Sequence, residues 1–128
     1  MGKINSIQKG KAGERELANL LKQKGYSTRR GQQFSGSNGD ADVVGLPNIH
    51  IECKRVENLN IYKAHAQAVA DTKGGTPTVF HRKNNMPWLV TMSLDDWLNM
   101  YQKAYGRPNE TDVEMLLAIS NAVKGSEE

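Results

Sequence analysis

The chain has 128 residues, a net charge of +3 and a mean hydropathy of −0.64, the size of one domain. No apolar run approaches the ~20 residues of a membrane helix, no apolar leader follows Met1, and the single cysteine, Cys53, excludes an internal disulfide and a multi-cysteine zinc site. A soluble protein of a reducing cytoplasm is expected, with a basicity that is compatible with nucleic acid but not diagnostic of it.

Residues 1–9 read as a basic, loosely ordered arm. Between Gly10 and Lys24, the residues Ala12, Leu17, Leu20 and Leu21 fall at helical spacing, and Gly25 supplies a C-cap. Tyr26–Arg30 reads as a short strand, and Gly31 to Gly39, rich in Gly, Ser, Gln and Asn, as a loop. Ala41–Leu46 and Ile49–Arg55 read as two strands of a hairpin, with Pro47 in the turn. Asn60–Asp71 follows as a helix ended by Gly74-Gly75. Thr78–His81 and Trp88–Met92 are two further strands around a polar turn at Lys83–Pro87. Ser93-Leu94-Asp95-Asp96 opens a helix with capping-box spacing that carries Trp97, Leu98 and Tyr101. Gly106-Arg107-Pro108-Asn109 breaks it, and Thr111–Val123 reads as a last helix. The order α-β-β-β-α-β-β-α-α predicts one α/β domain over residues 1–128, a central mixed β-sheet flanked by helices, with residues 110–128 as C-terminal helix and tail.

The chemistry concentrates in the hairpin. A strand alternates its faces, so Glu52 and Lys54 share one side while Ile51 and Cys53 take the other. Glu-x-Lys by itself describes many surface ion pairs of small consequence. Here the paired strand brings Asp42 alongside, and two carboxylates with a lysine are what metal-assisted phosphodiester hydrolysis needs. Mg²⁺ takes oxygen ligands, commonly one or two carboxylates; Asp42 and Glu52 fit, and the Cys53 carbonyl could add a third oxygen. Lys54 could orient or deprotonate the attacking water, or stabilise developing charge. In Glu14-Arg15-Glu16-Leu17 the two glutamates lie two apart on a helix and cannot share a face. Glu14 borders the Leu17/Leu21 core face and is the better candidate for the metal. Asp40 could ligate as well or cap the strand entry.

The ordered set Gly10-x-x-x-Glu14-Arg15-Glu16-Leu17, Ala41-Asp42-Val43-Val44-Gly45 and Ile51-Glu52-Cys53-Lys54 resembles the PD-(D/E)XK nuclease superfamily, most nearly archaeal-type Holliday junction resolvases and small phage-encoded relatives. Ala41 stands where that family usually has proline. The resemblance implies a restriction-endonuclease-like core and a Mg²⁺- or Mn²⁺-dependent endonuclease acting on branched DNA. It places the helix glutamate on Glu14, the strand aspartate on Asp42 and the Glu-x-Lys pair on Glu52 and Lys54. It also points to Gln67, near the metal or the water, where an ordinary exposed helix residue is the alternative. It further implies a homodimer, for which Trp97, Tyr101, Tyr105 and the Val113/Leu116/Leu117 stripe are the apolar candidates.

Basic and amide residues surround these motifs: Lys11, Arg29, Arg30, Gln32, Gln33, Phe34 and Ser35 before the strand pair, Lys63, Arg82 and Lys83 after it. They suit contact with phosphates, and Phe34 could wedge at a branch point. No base-reading motif is present, so recognition of backbone and shape is expected. Flaps, nicked or single-stranded DNA are alternative substrates, and a non-catalytic DNA-binding accessory is the alternative role.

Overall fold

The structure, a computed structural model, describes residues 6–32, 41–107 and 116–123; Gln33, Phe34, Ser35, Asp40 and Val113 lie outside the described residues. The chain divides into two units, Met1–Met92 and Ser93–Glu128. The first holds α1 (Ser6–Gln23), β1 (Arg29–Arg30), β2 (Val43–Val44), β3 (Ile49–Arg55), α2 (Ile61–Asp71), β4 (Thr76–Arg82) and β5 (Leu89–Thr91). The second holds α3 (Leu94–Tyr105) and a helix over residues 116–123. Five strands in the order β1-β2-β3-β4-β5 make one mixed sheet, the α/β, restriction-endonuclease-like architecture that the sequence predicts.

β3 organises the first unit. Its alternation puts Ile51 and Cys53 into a cluster with Leu17 and Ala18 of α1, Val43 of β2 and Phe80 of β4. Its other face is covered too: Ala64 and Ala68 of α2 pack with Val79, which lies beside Glu52 in the ladder. β3 and β4 run parallel because α2 carries the chain back across the sheet between them. The face that carries Glu52 is therefore roofed by a helix, and Glu52 is only 4% exposed. β2 joins β3 antiparallel, with Val43 opposite Ile51, through a turn in which Asn48 takes a left-handed conformation (φ 68°).

Three details differ from the sequence expectation. The first helix starts at Ser6, so the last residues of the predicted arm are helical. The strands at Arg29–Arg30 and Val43–Val44 are two residues each. Thr28, just before β1, turns its hydroxyl to the Ala18 carbonyl (2.7 Å), and Gly45, just after β2, adopts φ +106° pressed against Ser27, where any Cβ would overlap the Ser27 carbonyl. In the second unit, Ser93 caps α3 by accepting from the Asp96 N–H (3.1 Å). Trp97 stacks on Tyr101 and Tyr105 tilts against it, at centroid separations of 5.2 and 4.9 Å, and no residue of α3 is buried.

Candidate active site

The β2–β3 pairing fixes the first carboxylate. The Asp42 N–H donates to the Ile51 carbonyl (3.1 Å), and its Oδ2 accepts from the Cys53 N–H (2.8 Å). Asp42 is thereby clamped against the residues on either side of Glu52. Glu52 follows from strand alternation and lies beneath α2. Lys54, on the same face, reaches both neighbours: its Nζ is 3.4 Å from Glu52 Oε1 and donates to Gln67 Oε1 at 3.2 Å. The fold thus brings together Asp42, Glu52, Lys54 and Gln67 from three elements.

Glu14 approaches the same place from α1, close enough that its charge raises Asp42. Its Oε2, however, is held by Arg30 Nε at 2.9 Å. Among the described residues no three His, Cys, Asp or Glu side chains close on one point as a ready metal cage. The convergence expected from sequence is present as two carboxylates side by side and a third turned to an arginine.

Burial dominates the electrostatics. It pushes Asp42 above the usual carboxylate range, with Glu14 adding to the rise and the Cys53 N–H and Lys54 opposing it. It pushes Glu52 from 4.5 up to about 7, helped by the Asp42 charge and opposed by Lys54. The Cys53 thiol, in the core, is pushed up by burial and by the surrounding acids. A buried and a half-buried carboxylate with one ammonium in contact form a site short of positive charge. A divalent cation would supply it. The side-chain donors facing the site are oxygen, with the lone thiol turned away into the core, a set suited to Mg²⁺ or Mn²⁺ rather than to zinc.

Glu16 has another task, and nothing in the spacing signals it. Its carboxylate takes an ion pair from Arg82 Nε (2.9 Å), another from Arg55 Nε (3.4 Å), and a hydrogen bond from Trp88 Nε1 (3.1 Å). Gly13, one helical turn before it, makes room: a Cβ there would sit 2.8 Å from Arg55 Cβ. Arg82 also donates to the Met86 carbonyl (3.2 Å) and lies over the Trp88 ring, 5.9 Å from its centroid. Its guanidinium is committed within the fold, unlike the exposed Lys11, Arg29, Lys63 and Lys83. Gln32 is also exposed. A groove of about 610 Å³ beyond Lys54, lined by Leu59, Ile61, His81, Met86 and Leu89, contains neither Asp42 nor Glu52. Its neighbourhood to the site comes through the ladder, where His81 lies beside Lys54.

No helix among the described residues is long and apolar enough to cross a membrane. No curated protein and no solved structure matches the chain. One family model does, that of the archaeal Holliday junction resolvases, and it matches residues 5–124, a span that includes Glu14, Asp42, Glu52 and Lys54. The chain belongs to the archaeal Holliday junction resolvase family of PD-(D/E)XK nucleases.

Proposed function

We propose that the chain is a Mg²⁺- or Mn²⁺-dependent endodeoxyribonuclease that cuts branched DNA of the four-way-junction type. The observation that carries this reading is the juxtaposition of Asp42, Glu52 and Lys54 across the paired strands β2 and β3. Asp42 and Glu52 would hold the cation, joined by the Cys53 carbonyl and by Glu14, directly or through water. When bound, the ion would polarise the phosphodiester and relieve the charge that builds on it.

The chain's own residues supply the rest. Lys54, steadied by Gln67 and Glu52, presents an ammonium at the edge of the carboxylate pair. There it orients the attacking water or stabilises negative charge on the phosphate. Gln67 acts through Lys54, holding its amine in place. Lys11, Arg29, Gln32, Lys63 and Lys83, together with Arg30 and the 33–35 segment, would bind the DNA backbone without reading bases. Two copies would cut opposed strands of a symmetric junction, and the aromatic row of α3 is a candidate surface for pairing them.

The test is to incubate the protein with a four-way junction, linear duplex and single strand, with and without Mg²⁺, beside Asp42→Asn and Lys54→Ala. The junction is cut only with metal, and both variants bind it without cutting. Cleavage that survives either substitution moves the active site elsewhere. Equal cutting of linear duplex or single strand assigns those as substrates instead.

A further inference from the structure

Arg30 stands where two anions can compete for it. Its Nε is spent on Glu14 Oε2 at 2.9 Å, in a pair where Glu14 is 14% exposed and Arg30 29%. β1 places Arg30 opposite Val43, and the next residue, Gly31, donates to the Asp42 carbonyl (2.9 Å). The guanidinium therefore stands one residue from the Asp42 end of the carboxylate pair, between Glu14 and solvent, next to exposed Arg29. With its Oε2 held by Arg30, Glu14 keeps only Oε1 for Asp42 and Glu52, and no three-carboxylate cage forms among the described residues.

We infer that Arg30 is a gate that couples DNA binding to completion of the cation site. In the DNA-free protein it sequesters Glu14. A backbone phosphate of incoming DNA, which matches a guanidinium fork as well as a carboxylate does, takes Arg30 over and releases Glu14 toward Asp42. Arg30 is thus a positioning residue that acts through Glu14. This inference rests on the metal-site reading above. The exchange is a competition of two anions for one cation, so its two halves are linked: DNA tightens cation binding by the factor by which the cation tightens DNA binding.

Linkage gives the test a readout other than cleavage. Ca²⁺ binding is measured by calorimetry on wild type, Arg30→Gln, Glu14→Gln and the double variant, each with its fold checked by thermal unfolding. Arg30→Gln is expected to tighten Ca²⁺ binding on the order of tenfold without DNA, the scale of one charge-assisted hydrogen bond. That gain is expected to vanish when Glu14 is already Gln. Metal-free junction binding gives the second arm: Glu14→Gln tightens it, and the tightening disappears in the Arg30→Gln background. Arg30→Gln that weakens Ca²⁺ binding or leaves it unchanged overturns the gate, as does a gain that persists undiminished without Glu14. Asp42→Asn keeps the two claims apart. Ca²⁺ binding lost with Asp42 but indifferent to Arg30 refutes the gate alone, whereas binding that never depends on Asp42 refutes the metal site itself.

Discussion

Replacing Glu52 by Gln should stabilise the metal-free protein at the same time as it disables the site. Glu52 is 4% exposed and ionises only near pH 7, because burial and the Asp42 charge outweigh what Lys54 gives back. A folded-state value of about 7 against 4.5 means that the native chain holds a proton the unfolded chain has released. The stability this proton contributes to the metal-free protein is fully present below about pH 4.5 and is lost as pH rises to about 7. Holding the charge at pH 8 costs the folded chain up to about 3 kcal/mol. Glutamine keeps the shape and an acceptor for Lys54 but sheds the charge, so a net gain of about 2 kcal/mol is expected at pH 8 after the lost ion pair is allowed for. Urea unfolding with EDTA present, at pH 8 and pH 5, reads it out: a higher midpoint at pH 8 and a much smaller gain at pH 5. Adding Mn²⁺ at pH 8 should reverse the order, since only the wild type then gains from binding. A Glu52→Gln protein that is less stable by the same amount at both pH values would refute the reasoning, since Glu52 would then be an ordinary partner of Lys54.

Other expectations follow from the same geometry. Gln67→Ala frees the Lys54 amine and should lower kcat about tenfold with junction affinity unchanged, a milder loss than Lys54→Ala; equal losses would give Gln67 a direct role. Glu16→Gln loosens Arg55, Arg82 and Trp88 together and should lower stability by about 2–3 kcal/mol in urea while Ca²⁺ affinity holds. Gly45→Ala forces a Cβ into the Ser27 carbonyl at φ +106° and should cost about 2–4 kcal/mol in the same assay. Junction binding should weaken steeply between 50 and 200 mM salt, by at least about tenfold in a fluorescence titration, because phosphate contacts dominate it.

Much of this was legible in the sequence because the decisive patterns are local. Period-two alternation placed Glu52 and Lys54 together, and the short turn around Pro47 made Asp42 their neighbour, as the Val43–Ile51 pairing shows. The helices announced themselves by apolar spacing and by a cap at Ser93, while Asn60, read as the first helical residue, caps α2 instead. The relations that escaped are between residues far apart in the chain. Arg30 meets Glu14 across 16 positions, and Arg82 meets Glu16 across 66. Both depend on how α1 lies on the sheet, which no periodicity encodes. For the same reason Arg82 reads as a DNA contact in sequence and as an internal tie in the fold. The burial of Glu52 was not legible, because a strand pattern records alternation, not the helix that arrives later. α2 covers the acid of the acid–lysine pair, and that burial is the main source of the raised pKa of Glu52.

A crystal grown in Mn²⁺ and examined for anomalous scattering puts the central claim to its most direct test. The account predicts one peak at about 2.1 Å from carboxylate oxygens of both Asp42 and Glu52, the spacing of a hard octahedral cation. Carboxylates still engaged only with the Cys53 N–H and Lys54, and manganese bound elsewhere or not at all, would contradict it.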